Sequence, residues 1–514
     1  MKRFVLLTLV AALLLSLAAP VTSLADKANN TFIYGIEGDP GNDINTISTS
    51  GRYDLMTERM LYSPLYSYYG PEDISYFLAK DVQVSEDGQT ITVALRDDVV
   101  WSDGTPFTSA DVVFTFEHII KAPHANGHDG LVFNGQPTEV TAPDDYTVVF
   151  KTPIFVASML ENLSNEHYIM PKHIYEGDEA LDQNVKNQTP VGTGPYTLAE
   201  YKAGQYVKFA ANKNYFKGEP KIETVYFQII GDKNSAMLAL KTGQINALVL
   251  SNDVAEDFKN SPVDVIAYPE DRVGYASFIL TSDKVKDVNF RKAVFFALDR
   301  HQMNLGAYLS EEFFVDATSF LPYSNPFFSE DLEAYNRNLD TAKEYLAKAE
   351  NVPQSITVAY GVGNAQQEIQ ALVIQQNLKD IGVQVEIAPV DSTALYNGLR
   401  DGTSPYDMFL GGYIMGVDPS AYATLFVTDA AANYASMSAP ELDELFRAGA
   451  VEMDEAKRRD IYNQAQKVLA DQAVQYSIVT NSRLLGVTQD VGGIDEARLI
   501  PIYTFNDMSE LYFK

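Results

Sequence analysis

Two stretches of the chain, more than 100 residues apart, each alternate between strand and helix patterns. In each stretch an apolar strand precedes a helix-length segment that ends near a glycine, and a second apolar strand follows. The predicted strand, helix and strand are residues 224–230, 234–242 and 245–250 in the first stretch, and residues 356–360, 365–381 and 383–387 in the second. Strands joined by helices form parallel or mixed sheets. The pattern therefore predicts two α/β lobes.

The region before the first of these units has a different pattern. Residues 89–96 and 146–151 are predicted to be short alternating strands, and residues 109–121 place apolar side chains at helical spacing after the cap candidates Thr108 and Ser109. We therefore expect residues of about 66–194 to form a smaller α+β insertion. Helical spacing at residues 287–300 and 340–350 predicts two helices of the second lobe.

The first 25 residues are typical of a secretory signal peptide. Lys2 and Arg3 precede an apolar run at residues 4–17, and Ser23-Leu24-Ala25 places small residues at the −3 and −1 positions of a cleavage site. The run is short for a membrane span, which needs about 20 residues. We predict cleavage after Ala25. The chain has no cysteine, so a lipid anchor at the new N-terminus is not expected, and the mature protein is predicted to be free in the periplasm.

Charge and composition exclude several classes of protein. The formal net charge is −31 over 514 residues, which disfavours binding to nucleic acid or to anionic lipid. The absence of cysteine excludes disulfides, thiolate zinc sites, iron–sulfur clusters and thiol nucleophiles. The length suggests about three packing units.

Three common catalytic or nucleotide-binding motifs are absent from the sequence. It has no phosphate-binding P-loop motif, no H-E-x-x-H and no G-x-S-x-G. His118, His124 and His128 are close in sequence, and imidazoles at such spacing can bind a metal ion. A helix end followed by a solvated polar loop explains them more simply. We therefore predict no catalysis and no cofactor.

Seven motifs resemble those of a known family. The segment VQVSEDGQTITVALRDDVVWSDGTPFTSADVVFTFEHI, residues 82–119, resembles the signature of the extracellular solute-binding proteins of peptide and nickel ABC transporters. Six further motifs follow in the order of that family, at residues 190–196, 211–218, 239–246, 287–300, 341–349 and 411–422. The chain is thereby identified as a member of the oligopeptide and dipeptide-binding type, solute-binding family 5.

The resemblance implies an α/β fold of the periplasmic-binding-protein type II, in which two lobes close like a flytrap around a ligand. Two crossings, near residues 268–278 and 476–482, would be the hinges. The implied division is signal peptide 1–25; lobe I 26–65, 195–268 and 482–514; insertion 66–194; and lobe II 269–481.

The resemblance also implies where a ligand binds. In the peptide binders of the family, an extended peptide pairs with a strand of lobe II, which corresponds here to Gly412, Tyr413, Ile414 and Met415. Other matched positions near the ligand are Glu37 in lobe I and the pair Asn433 and Tyr434.

The sequence departs from the family at one position of the implied site. Peptide binders place an aspartate after the pairing strand to bind the ligand's ammonium group, whereas the aligned residue here is Gly416, with Asp418 two residues later. Either Asp418 takes that role in a shifted loop, which we favour, or the ligand has no free amino terminus.

The leading hypothesis is a monomeric periplasmic binding protein that delivers short peptides to an ABC transporter permease and, through it, to the ATPase subunits. An oligosaccharide binder and a nickel-chelate binder are alternatives on the same fold. A secreted hydrolase and a periplasmic chaperone or adhesin are alternatives of other classes.

Overall fold

The computed structural model describes residues 29–49, 51–70, 72–133, 135–164, 167–178 and 180–514. The predicted signal peptide and its cleavage site lie outside these residues. Within them, no helix combines the length and the apolar character needed to cross a bilayer.

The described strands, numbered in chain order, fall into one large sheet and several small ones. They are β1 (Thr31–Ile36), β2 (Tyr66–Tyr68), β3 (Ile74–Tyr76), β4 (Ala79–Val84), β5 (Thr90–Leu95), β6 (Val132–Phe133), β7 (Gln136–Pro137), β8 (Glu139–Asp144), β9 (Thr147–Lys151), β10 (Tyr196–Lys202), β11 (Tyr206–Ala211), β12 (Thr224–Ile229), β13 (Ala247–Leu250), β14 (Val263–Phe278), β15 (Phe314–Asp316), β16 (Ser355–Gly361), β17 (Gln384–Val390), β18 (Met408–Ile414), β19 (Gln475–Thr488), β20 (Val491–Gly492), β21 (Leu499–Ile500), β22 (Thr504–Phe505) and β23 (Tyr512–Phe513).

The described α-helices are concentrated in the second half of the chain. They are α1 (Arg52–Leu61), α2 (Ser109–Lys121), α3 (Met159–Asn162), α4 (Lys172–Tyr175), α5 (Lys233–Lys241), α6 (Val288–Ala297), α7 (Arg300–Tyr308), α8 (Leu339–Lys348), α9 (Ala365–Leu378), α10 (Ser392–Arg400), α11 (Ala423–Phe426), α12 (Pro440–Val451), α13 (Glu455–Gln472) and α14 (Ile494–Ala497).

Both predicted strand–helix–strand units are confirmed. In the first unit, β12 and β13 flank β1, and both pair with β1 in parallel. In the second unit, β16 and β17 are adjacent and parallel, with Val358 opposite Ile387. The sheet order among the described strands is β10-β11-β12-β1-β13-β19-β14-β18-β16-β17, and β15 pairs with β19. The two units therefore lie in opposite halves of one mixed sheet, on either side of β19 and β14.

The long strands β14 and β19 join the two halves of this sheet. At one end of the β14–β19 pair, β19 also pairs with β13. At the other end, Arg272–Phe278 of β14 pair with β18 as well as with β19. The β14–β19 register shifts between Pro269 and Arg272, and Asp271 there has a φ of 53°. A register break of this kind bends a strand. The predicted crossings fall on these two strands, at and beside the bend.

The insertion is built around an antiparallel sheet in the order β4-β5-β9-β8, against which α2 packs. The helix begins after Thr108, as predicted, because the Thr108 N–H donates to the Asp111 carboxylate at 3.0 Å. The chain leaves the insertion through a turn in which the Gly194 N–H donates to the Leu61 carbonyl at 2.9 Å. A Cβ at Gly194 would lie 2.5 Å from the Leu61 carbonyl carbon, so only glycine permits this approach.

The buried hydrophobic clusters do not follow the predicted division into lobe I, insertion and lobe II. Phe32 and Phe227 of lobe I belong to the same buried cluster as Trp101 and Phe116 of the insertion. Lobe II has separate clusters, one of them around Phe295. Lobe I and the insertion therefore pack as one body against lobe II, while the exact segment boundaries stay a prediction.

The helix predicted at residues 287–300 is present but ends earlier than expected. It is α6, which ends at Ala297, and a second helix, α7, begins at Arg300 after Leu298 and Asp299. The Asp299 carboxylate accepts from the Gln302 N–H at 2.9 Å and so caps a new helix. A side-chain cap of this kind favours a helix start over helix continuation.

Candidate functional site

A cavity of about 660 Å³ lies between the two bodies. Its first wall comes from lobe I and the insertion, and its second wall from lobe II. The first wall includes Arg59, Tyr68, Tyr69, Asp73, Glu161, Arg498 and Tyr503, and the second includes Asp271, Ser324, Asn325, Ile414, Met415, Gly416 and Val417. The volume lies within the range of about 300–1,000 Å³ that is usual for small-ligand sites.

Strand β18 leads into the second wall with one edge free. Along one edge it pairs with β14 through Ile414 opposite Arg272. Along the other edge its pairing with β16 covers Met408 and Phe409, and no other described strand continues that ladder. The following residues, Ile414–Val417 in the sequence, line the cavity. An open strand edge of this kind can bind an extended chain through backbone hydrogen bonds.

The first wall carries an aromatic and ionic group. Arg498 donates from both terminal nitrogens to the Asp73 carboxylate, at 2.8 and 2.7 Å, and its guanidinium lies 3.8 Å from the centre of the Tyr69 ring. The hydrogen bonds from Arg498 lower the pKa of Asp73. Arg498 therefore offsets the charge of Asp73 in an exposed ion pair on this wall.

The buried arginine of the first wall is Arg59. It donates to the Asn506 carbonyl at 2.8 Å and to Ser67 Oγ at 3.0 Å, and its guanidinium lies 4.8 Å from the centre of the Tyr503 ring. These contacts fix α1 to the C-terminal segment, so Arg59 shapes the wall.

Two further carboxylates reach the cavity. Asp271, at the bend of β14, accepts from Ser324 Oγ at 2.6 Å. Glu161 accepts from the backbone N–H groups of Val417 and Asp418, at 2.6 and 2.8 Å. Burial is the main cause that raises the pKa of Glu161, to about 7. Neither carboxylate forms an ion pair within the described residues.

A comparison with models of protein families identifies the family to which this chain belongs. The model of bacterial extracellular solute-binding proteins, family 5, matches residues 73–434, which is more than half of the chain. The chain is a family 5 solute-binding protein. As a member of this family it is a substrate-binding protein of the ABC transport type, and the predicted family and fold class are confirmed.

Relatives of this solute-binding protein are found by sequence and by structure. The chain is 27% identical over 450 residues to the oligopeptide-binding protein AppA of Bacillus subtilis, covering 83% of this chain and 82% of AppA. It is 25% identical to the dipeptide-binding protein of Escherichia coli, covering 93% and 94%.

Among solved structures, the ABC transporter substrate binding protein CtaP of Listeria monocytogenes has a TM-score of 0.90 and 36% identity, covering 94% of this chain and 99% of CtaP. NikA of Brucella suis, solved in complex with Fe(III)-EDTA, has a TM-score of 0.82 at 20% identity, covering 94% and 100%, and supports the fold alone.

The structure places the predicted strand of the solute-binding protein only partly in the cavity. Ile414 and Met415 line it. Tyr413 is directed away, because its hydroxyl donates to the Phe320 carbonyl at 2.8 Å inside lobe II. Gly412 lies opposite Gly274 in the β14 ladder, and the Arg272 guanidinium occupies the space where a Cβ would be.

Three other predicted residues lie outside the large cavity. Glu37 lines a separate cavity of about 60 Å³, together with Arg52 and Arg483. The Asn433 side chain donates to the carbonyls of Val427 and Met437, so it holds its own loop together. Tyr434 packs against Tyr396 and Phe409. We expect these three residues to act on the ligand only through the packing of their lobes.

The geometry gives Asp418 a structural role in place of the predicted ammonium contact. Its Oδ1 accepts from Arg458 Nη2 at 2.6 Å and also from the N–H and Oγ of Ser420, at 2.9 and 2.7 Å. Both side chains of the Asp418–Arg458 pair are 8% exposed. Because Arg458 neutralises this carboxylate within lobe II, an ammonium contact has to be sought on another residue.

The residues that carry the charges of the cavity were not among those predicted from the sequence. Glu161 is the single acidic residue of the apolar segment VASMLENL, and this isolation is a signal that could have found it. Asp271 falls within the predicted crossing at residues 268–278, but it stands between Glu270 and Arg272, so the sequence does not single it out. Nothing in the sequence connects Asp73 with Arg498, which are 425 residues apart.

The three neighbouring histidines have separate partners. His118 Nδ1 lies 2.8 Å from the Phe114 carbonyl, His128 Nδ1 lies 3.0 Å from the Ile119 carbonyl, and His124 is 3.7 Å from Asp182. No group of three or more histidine, aspartate or glutamate side chains able to hold a metal occurs in the described part of the chain. The geometry offers no support for the nickel-chelate alternative at these residues.

Proposed function

We propose that this solute-binding protein captures short peptides in the cleft between its two bodies. The observation that carries the proposal is the free edge of β18, which runs directly into the cavity wall at Ile414–Val417 in the sequence. Backbone pairing along such an edge binds an extended peptide without selecting its side chains. The names of the oligopeptide- and dipeptide-binding relatives support the same ligand class.

The ammonium group of the peptide is assigned to Asp271. This carboxylate lines the cavity, and among the described residues it accepts a side-chain hydrogen bond from the neutral Ser324 hydroxyl and forms no ion pair. It precedes Arg272, the residue opposite Ile414, so it lies at the end of the strand along which the peptide would pair. Glu161 is the weaker candidate, because both of its oxygens already accept backbone N–H groups.

Asp271→Asn tests this assignment by calorimetric titration with a peptide that the protein binds. Removing the carboxylate that binds a desolvated ammonium is expected to weaken the binding free energy by about 2–5 kcal/mol. This corresponds to a roughly 30-fold to several-thousand-fold loss of affinity. The N-acetylated form of the same peptide should bind the wild type with a similar loss and should be almost unaffected by the substitution. Equal binding of free and acetylated peptide to the wild type would contradict the assignment.

Native mass spectrometry of the protein purified from its own host tests the peptide class itself. The complex should carry masses that resolve into peptides on fragmentation, and added peptides should be returned intact, because we propose that the protein binds without catalysis. A carbohydrate or metal-chelate mass would overturn the peptide proposal.

We also propose that the protein works as a monomer in the periplasm, free of lipid, and passes its ligand to a permease coupled to ATPase subunits. The strongly acidic surface fits no nucleic-acid partner. The same mass spectrum tests the export step, since the mature chain should begin at Asp26. An intact N-terminus on protein that only detergent extracts would overturn the predicted cleavage.

A further inference from the structure

The segment around α3 is where the insertion touches lobe II across the cleft. Glu161 binds the backbone of Val417 and Asp418, as described above. Four residues earlier, the Ala157 N–H donates to the Ala450 carbonyl of α12 at 3.3 Å. Lobe I and the insertion share a core that lobe II does not, so these contacts join two separate bodies. They must break if the bodies move apart.

Gly416 makes the Glu161 contact sterically possible. A Cβ at this position would overlap Oε1 of Glu161 and would lie 2.7 Å from its Cδ. The backbone of Gly416 is not in the left-handed region, so alanine is conformationally allowed there and its effect would be steric.

We infer that Glu161 is a positioning residue that couples closure of the cleft to the uptake of a proton. The inference rests on the proposed function only in requiring that the two bodies open and close. In the closed cleft, Glu161 lies between the two bodies, whereas separation of the bodies would return its carboxylate to water.

The charged and titratable groups around Glu161 explain the coupling. The Asp418 carboxylate is a like charge, and Arg458, which would compensate, is already paired with Asp418. Tyr68 on β2 and Tyr422 beyond β18 face the same carboxylate, and Glu455 of α13 is a further acidic group near Tyr68. The backbone N–H groups of Val417 and Asp418 favour the ionised form, but burial outweighs them.

The direction of the pH effect follows from linkage. The pKa of Glu161 is about 7 in the closed cleft, whereas an ordinary glutamate has a pKa of 4.5. The closed state therefore binds a proton more tightly than an open state with a solvated Glu161. Between these two pH values, closing takes up a proton. Closure is therefore easier at pH 5.5 and less favourable above pH 7, where Glu161 is ionised in both states.

Two spectroscopic labels can measure the closed population without any peptide. The chain has no cysteine, so Val84→Cys on β4 and Val362→Cys in lobe II, both exposed, give two unique labelling sites. The inter-label distance distribution of the otherwise wild-type protein should shift toward the closed state between pH 8 and pH 5.5, with the closed-to-open ratio rising about tenfold or more.

Glu161→Gln is the decisive variant, because glutamine keeps the shape of the side chain and cannot ionise. Its distance distribution should be insensitive to pH across the same range. The matched control is Glu139→Gln, which removes an exposed carboxylate of the same insertion and should behave as the wild type does. A wild-type distribution that is unchanged by pH, or a Glu161→Gln protein that still responds, would overturn the inference.

Gly416→Ala gives a second test that does not depend on a titrating group. The added methyl group should displace the Glu161 side chain, shift the distribution toward the open state and abolish the pH response. If the effect acts through Glu161, the shift caused by Gly416→Ala should be smaller in the Glu161→Ala background. An equal shift in both backgrounds would contradict the claim that Gly416→Ala acts through Glu161. Because no peptide is present, failure of the peptide proposal and failure of this inference are separate results.

Discussion

At the scale of single residues, the Asp418–Arg458 ion pair is a stabilising contact of lobe II. Both side chains are 8% exposed, and Asp418 also caps the turn at Ser420. Asp418→Ala leaves a buried guanidinium without its partner, which should lower the free energy of unfolding by about 3–5 kcal/mol. Chemical denaturation measures this loss. Any loss of peptide affinity in Asp418→Ala should be by the same factor for free and for acetylated peptides, because the lost carboxylate does not face the ligand.

The control for this prediction is the double variant Asp418→Ala/Arg458→Met. Removing both charges avoids the unpaired buried cation, so much of the lost stability should return. If Asp418→Ala instead leaves unfolding unchanged and weakens only peptides with a free amino terminus, Asp418 is the ammonium contact after all.

At the scale of elements, the bend in β14 is held by a buried carboxylate. Glu270 lies beside the register shift, 9% exposed, and accepts from Arg52 of α1, from Arg483 of β19 and from Asn481, at 3.3, 3.4 and 2.8 Å. One carboxylate thus holds two arginines from different elements. Glu270→Gln leaves these two cations facing each other and should lower the free energy of unfolding by about 2–4 kcal/mol, measured by denaturation.

An exposed ion pair supplies the comparison for Glu270. Arg447 and Glu444 lie one turn apart on α12, and both side chains are 68% exposed. Glu444→Gln should change the free energy of unfolding by less than about 1 kcal/mol, and high salt should remove even this effect. A similarly small effect for Glu270→Gln would mean that the bend does not depend on its ion pairs.

At the scale of the whole molecule, the separate cores make closure a movement of two bodies about β14 and β19. Lobe I and the insertion share one buried cluster, so they should move together. A saturating peptide should reduce the radius of gyration in solution scattering and raise the melting temperature, because it binds the closed folded state. Unchanged scattering with a bound peptide would contradict this movement.

The sequence determined the local elements of the protein. The helix at residues 109–121 has the observed bounds of α2, and both strand–helix–strand units appear where the periodicity of apolar residues indicated them. These features depend on side chains that are neighbours along the chain, so their pattern is visible without the fold. The break between α6 and α7 was missed, since an aspartate cap and a helical surface position look alike in a sequence.

The tertiary structure alone decided which charges line the cavity. Glu161 meets Val417 across 256 positions of sequence, and Arg498 meets Asp73 across 425. Asp418 looked available because Arg458, 40 residues later, is brought to it only by the packing of lobe II. The role of a carboxylate depends on which groups surround it and how deeply it is buried, and those neighbours come from distant segments. Sequence therefore determined the family and the fold, and three-dimensional packing decided the candidate site.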